Sequence, residues 1–132
     1  MLQDKKISLP TEEEVLQSIN EMITFYTGHA KRKGLHFNLD PEYILDRIKK
    51  SDYKCEVSGI SYRFNERCKP GFKSSYSVSI ERIDRLRGYT GGNIRLLCLG
   101  VNLAINIWGK DFTFEHIIPA LEPNRSTEAE ET

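Results

Sequence analysis

The chain offers few cross-links, no long apolar run and no net charge. Only three of its 132 residues are cysteine, an odd number at irregular spacing. That excludes a disulfide framework and leads us to expect free thiols in a reducing compartment. No apolar stretch is long enough to span a membrane, and the opening MLQDKKISLP lacks the apolar core of a secretion signal. A cytoplasmic protein is the expectation. No internal repeat is visible. With 39% apolar and 29% charged residues, the composition is that of one globular domain able to bury its own core.

The zero net charge hides an uneven distribution. Residues 28–95 carry fifteen Lys or Arg against eight acids, whereas residues 1–27 carry two against five. The last eleven residues, from Glu122, hold one Arg against four Glu and almost nothing apolar, so an acidic disordered tail is expected over 122–132. A basic middle segment favours a polyanionic partner, DNA or RNA, through phosphate neutralisation; a solvated surface is the alternative. Candidate phosphate contacts are Lys31, Arg32, Lys33, Lys69, Lys73, Arg85, Arg87 and Arg95. The first three also suit a helix C-terminus, where cations meet the negative dipole end.

Local signals set out the elements. Thr11 with Glu14 forms a capping box ahead of Val15, Ile19, Met22, Ile23 and Tyr26, which repeat at helical spacing until Gly34. Asp40 followed by Pro41 opens a second helix with Tyr43, Ile44, Leu45 and Ile48 on its apolar face. Cys55 to Tyr62 suggests a turn with a short strand, and Arg63 to Ser77 a loop. Thr113 is placed to cap a last helix reaching Leu121.

The stretch Val78–Trp108 reads as strand, turn, strand, helix. Val78, Ile80 and Ile83 supply the first apolar run, Gly88 to Gly92 the turn, and Ile94 begins the return. Val101, Ile105 and Trp108 then recur at helical spacing before Gly109. Such a hairpin on a helix can bring Glu81 near Asn102. One carboxylate and one amide oxygen, completed by water and substrate phosphate, suit a hard cation such as Mg²⁺ or Mn²⁺. Asn93 on the returning hairpin joins these two as a candidate. Asp84 is a possible second ligand or base, with turn formation as its alternative role. His29, His36 and His116 are further candidate bases.

These residues resemble those of the HNH, or His-Me finger (ββα-metal), endonucleases of phage and prophage type. Glu81-Arg82 stands where that family has an Asp-His pair, Asn93 matches its middle Asn, and Asn102 its helix ligand. AKRKGLHFNLDPEYI and KCEVSGISY resemble its lead-in, so the likeness covers roughly residues 28 to 108. The resemblance implies a small α+β domain over 1–121, N-terminal helices, and a ββα-metal core at about 77–109. It also implies metal-dependent hydrolysis of DNA phosphodiester bonds, with the ion held by Glu81 and Asn102.

Two positions depart from the family. Arg82 replaces the histidine base, and a guanidinium that never deprotonates cannot take a proton from water. It is expected to neutralise a phosphate oxygen, with Asp84 or a distant histidine assisting the water. Where relatives build a structural zinc site from two Cys-x-x-Cys pairs, this chain has Cys55, Ser58, Cys98 and Val101. Valine cannot ligate, so apolar packing rather than zinc is expected there. Two functions follow: an endonuclease with an atypical site, or a catalytically degenerate relative that binds DNA or a protein as a regulator or inhibitor.

Overall fold

The computed structural model describes residues 9–64, 67–69 and 72–121, with main chain alone at 67–69 and 72. The Lys69 side chain and the tail 122–132 therefore lie outside the described residues. Helix α1 spans Glu12–Lys33. Its capping box is formed at both ends: the Glu14 amide donates to Thr11 Oγ1 at 3.1 Å and the Thr11 amide to Glu14 Oε1 at 3.0 Å. Gly34 ends it in the left-handed region at φ 69°. Helix α2, Pro41–Lys50, starts as its sequence suggests, with Asp40 Oδ1 accepting the Tyr43 amide at 2.9 Å.

The stretch expected to be a loop instead contains a short antiparallel ribbon, β1 (Arg67–Lys69) with β2 (Phe72–Lys73). Strands this short carry too few alternating positions to leave a periodic signal. The main ribbon pairs β3 (Val78–Arg82) with β4 (Ile94–Cys98), antiparallel, with Ile80 opposite Leu96 and Glu81 opposite Arg95. A turn at Gly91–Asn93 leads into β4, and helix α3 (Leu99–Trp108) follows without a break. The molecule is thus α+β, with the order ribbon then helix that the sequence implies.

A two-stranded ribbon leaves both edges unpaired, and buried edge amides need partners. Here side chains supply them. On the β3 edge the Ile80 amide donates to Tyr26 Oη of α1 at 3.3 Å, and its carbonyl accepts from Asn102 Nδ2 of α3 at 3.1 Å. On the β4 edge Glu56 engages both the amide and the carbonyl of Leu96. The core gathers Val15, Ile19 and Met22 of α1, Ile44 and Ile48 of α2, and Ile80, Leu96 and Leu97 of the ribbon. Each such side chain contributes roughly 1.5–3 kcal/mol on burial.

Two local expectations are corrected. Helix α3 does not bury a Val101–Ile105–Trp108 stripe: Asn102 and Ile105 are its buried residues, and Trp108 is 52% exposed. The bonds from the Asn102 amide to β3 turn the helix so that a polar residue faces the ribbon. Thr113 is not an N-cap. Helix α4 (Lys110–Phe112) begins right after Gly109 and widens into a π turn over Thr113–Ile117, so Thr113 sits one turn in. Its hydroxyl donates back to the Gly109 carbonyl at 2.7 Å. No helix among the described residues is long and apolar enough to cross a membrane.

Candidate functional site

The pleat of β3 decides which residues meet. Ser79 and Glu81, two apart, share one face of the ribbon. Asn102 Nδ2 donates to Ser79 Oγ at 2.9 Å, which identifies that face as the one covered by α3. Glu81 therefore lies on the α3 side, one step further along. Because the Ile80 carbonyl can only accept, the Asn102 amide must put Nδ2 against β3, leaving Oδ1 on the side of Asn106. Asn106 Nδ2 donates to that oxygen at 3.2 Å, and Asn106 Oδ1 accepts from Arg85 Nη2 at 2.8 Å.

These groups line a cleft of about 700 Å³ bounded by α1, β3, the following loop and α3. Glu81 and Arg82 enter from β3, Arg85 from the loop after it and Asn102 from α3; His29 and Lys33 enter from α1. Of the residues the sequence singles out, Glu81, Arg82, Arg85, Asn102 and Lys33 thus come together. Asn93 and Asp84 do not line the cleft: Asn93 is buried and Asp84 is exposed on the following loop. Buried Asn93 accepts the Asp84 amide at 2.9 Å and donates to the Asp84 and Gly88 carbonyls at 3.0 and 2.9 Å. Asp84 Oδ1 accepts the Leu86 amide at 3.0 Å, the turn-forming role.

Arg82 is held in place. Its Nη1 donates to the carbonyls of Arg85 and Arg87, and its guanidinium lies 5.2 Å from the Tyr89 ring centroid. Arg95, expected at phosphate, instead directs Nε and Nη2 to Glu81 Oε1 at 3.0 and 2.6 Å. As its directly opposed cross-strand neighbour, it is the nearest cation to that carboxylate. Both bonds fall on Oε1, so Oε2 makes no hydrogen bond among the described residues. Lys73 lies 3.9 Å from Glu21 of α1, and Lys31, Arg32 and Arg87 are exposed outside the cleft lining.

Sequence reasoning gave His29 no special weight, yet it faces this cleft. Burial foremost, then the charges of Lys33, Arg82 and Arg32, hold its imidazole below the usual 6.5. It therefore presents a neutral, proton-accepting ring at neutral pH. Its separation from the hairpin in sequence leaves no local signal that would set it above His36 and His116 as a candidate base. Among the described residues no three His, Cys, Asp or Glu side chains converge as a metal-binding group. A hard cation here would rest on Glu81 Oε2 and Asn102 Oδ1. That donor set fits an ion that keeps several waters and takes further oxygens from a phosphate.

Cys55 and Cys98 are both buried and hydrogen-bonded to each other. The Ser58 amide donates to Cys55 Sγ at 3.4 Å. That shared bond holds Cys55 below the ordinary thiol range and Cys98 above it. The chain matches no family model, no curated protein and no solved structure.

Proposed function

We propose that the chain is a metal-dependent endonuclease of the HNH, ββα-metal type that hydrolyses DNA phosphodiester bonds in the cleft between α1, β3 and α3. One observation carries the reading: the sole acid of β3 and the buried amide of α3 line the same cleft as three cations and a neutral histidine. Hydrolysis of a phosphodiester needs a group that accepts the water proton, positive charge on the non-bridging oxygens, and stabilisation of the leaving oxygen. His29 supplies the first, replacing the base that Arg82 cannot be. Arg82, Arg85 and Lys33 supply the second. Glu81 and Asn102 would hold a divalent ion, which when bound polarises phosphate and assists departure of the leaving oxygen. The resemblance of Glu81, Asn93 and Asn102 to the family pattern supports the same assignment.

A second reading has its own support. Arg95 already neutralises part of Glu81 at 2.6 Å, as would suit a scaffold that binds DNA without cutting it. Nicking of supercoiled plasmid with Mg²⁺ or Mn²⁺ separates the two. The endonuclease predicts cleavage by the wild type, at least tenfold slower cleavage by Glu81→Gln and Asn102→Ala, and retained folding of Glu81→Gln. Cleavage untouched by Glu81→Gln overturns the site; binding without cleavage in every variant supports the non-cutting scaffold.

A further inference from the structure

The loop from Ile83 to Gly88 is fixed more firmly than a solvent-facing loop needs to be. Asn93 bonds to its main chain three times, and Arg82 donates to two of its carbonyls. Within it the Arg87 amide donates to the Asp84 carbonyl at 3.1 Å, and the Leu86 amide to Asp84 Oδ1 at 3.0 Å. The tip of this tied loop is Leu86, 90% exposed, the most exposed large apolar side chain among the described residues. A loose tip would let leucine fold down onto apolar neighbours; this backbone holds it out in water. Arg85 and Arg87 flank it, both exposed, and Leu86 and Arg85 form part of the cleft lining beside Glu81 and Arg82.

We propose that Leu86 is a wedge that enters the base stack of duplex DNA beside the phosphate held in the cleft, while Arg85 and Arg87 engage phosphates on either side. This inference rests on the nucleic-acid reading of the cleft and adds the form of the substrate. The two arginines select a polyanion rather than an apolar protein surface. The choice of leucine selects duplex over single strand. Single-stranded sites stack bases on aromatic rings, whereas apolar wedges of the leucine type unstack a duplex step and bend the helix. The energy of unstacking is smallest at flexible pyrimidine–purine steps, so TA and CA steps are the preferred entry points.

The test uses the full chain in EDTA, so that DNA is bound and not cut, with a duplex carrying 2-aminopurine at a central TA step and the matching single strand. Leu86→Ala removes only an exposed side chain and leaves every main-chain bond of the loop, so its thermal midpoint should equal that of the wild type. Binding of the wild type should raise 2-aminopurine fluorescence. Leu86→Ala should lose that rise and bind the duplex roughly tenfold more weakly. Its slope of log affinity against log salt should be unchanged, since the phosphate contacts remain. Equal fluorescence and affinity for both proteins, or tighter binding to the single strand, overturns the wedge while leaving the cleft reading standing. No binding of the wild type to either DNA overturns the cleft reading, and the wedge with it.

Discussion

Glu56 is joined to Leu96 twice: its amide donates to the Leu96 carbonyl, and its Oε1 accepts the Leu96 amide, each at 3.0 Å. The same carboxylate receives Arg47 Nε at 3.0 Å and Nη2 at 2.6 Å, and Arg47 also reaches the carbonyls of Gly91 and Ile94. One ion pair therefore ties α2 to the edge of β4 and to the turn that precedes it. The partners are about one-fifth exposed, so the attraction is only partly screened.

Glu56→Ala should lower unfolding stability by about 2–3 kcal/mol, because it leaves Arg47 and the Leu96 amide without their acceptor. Arg47→Ala should cost a similar amount. Urea denaturation of the double variant should show that the two losses do not add, with a coupling of about 1 kcal/mol or more.

Asn93 holds the 83–88 loop through both ends of its amide, so Asn93→Asp should be worse than Asn93→Ala. The alanine loses three bonds and about 2–3 kcal/mol. The aspartate also turns an oxygen toward the Asp84 and Gly88 carbonyls that Nδ2 now serves. Hydrogen exchange at the Asp84 and Leu86 amides should quicken in both, with the larger effect in Asn93→Asp.

Gly88 is needed for space. A Cβ there would lie 2.4 Å from the His36 carbonyl oxygen and 2.9 Å from its nitrogen, main-chain atoms that the Tyr89–His36 bridge holds in place. Gly88→Ala should destabilise by roughly 3 kcal/mol or more, or fail to fold. Gly92→Ala, where a Cβ meets nothing within 4 Å, should be neutral to within about 0.5 kcal/mol by thermal melting.

His29 should titrate below 6.5 in the folded protein, as read from its ring proton by NMR. The unfolded chain then binds more protons over that window, so stability rises with pH there. The contribution is complete above pH 6.5 and is lost as pH falls toward the lower folded value. His29→Gln should flatten that part of the stability curve. It should also remove the acid limb of cleavage activity if the ring accepts the water proton.

What the sequence by itself determined is local. The Thr11–Glu14 box, the Asp40 cap before Pro41 and the stop at Gly34 each rest on bonds or sterics spanning three or four residues, and the order of ribbon and helix on short runs of apolar spacing. Those signals are written where they act; Glu81 and Asn102 do line one cleft, while Asn93 is spent on the loop after β3. Only the tertiary structure decided that Tyr26 would cap Ile80, 54 residues away, that Arg95 would take Glu81, and that His29 would face the cleft. It also turned α3 so that Asn102 is buried and Trp108 exposed, against the apolar spacing. The reason is that an edge carbonyl of a two-stranded ribbon must find a donor, and leaving it bare would cost more than exposing part of an indole. Which side chain meets that demand depends on how distant segments pack, and no local pattern in the chain records it.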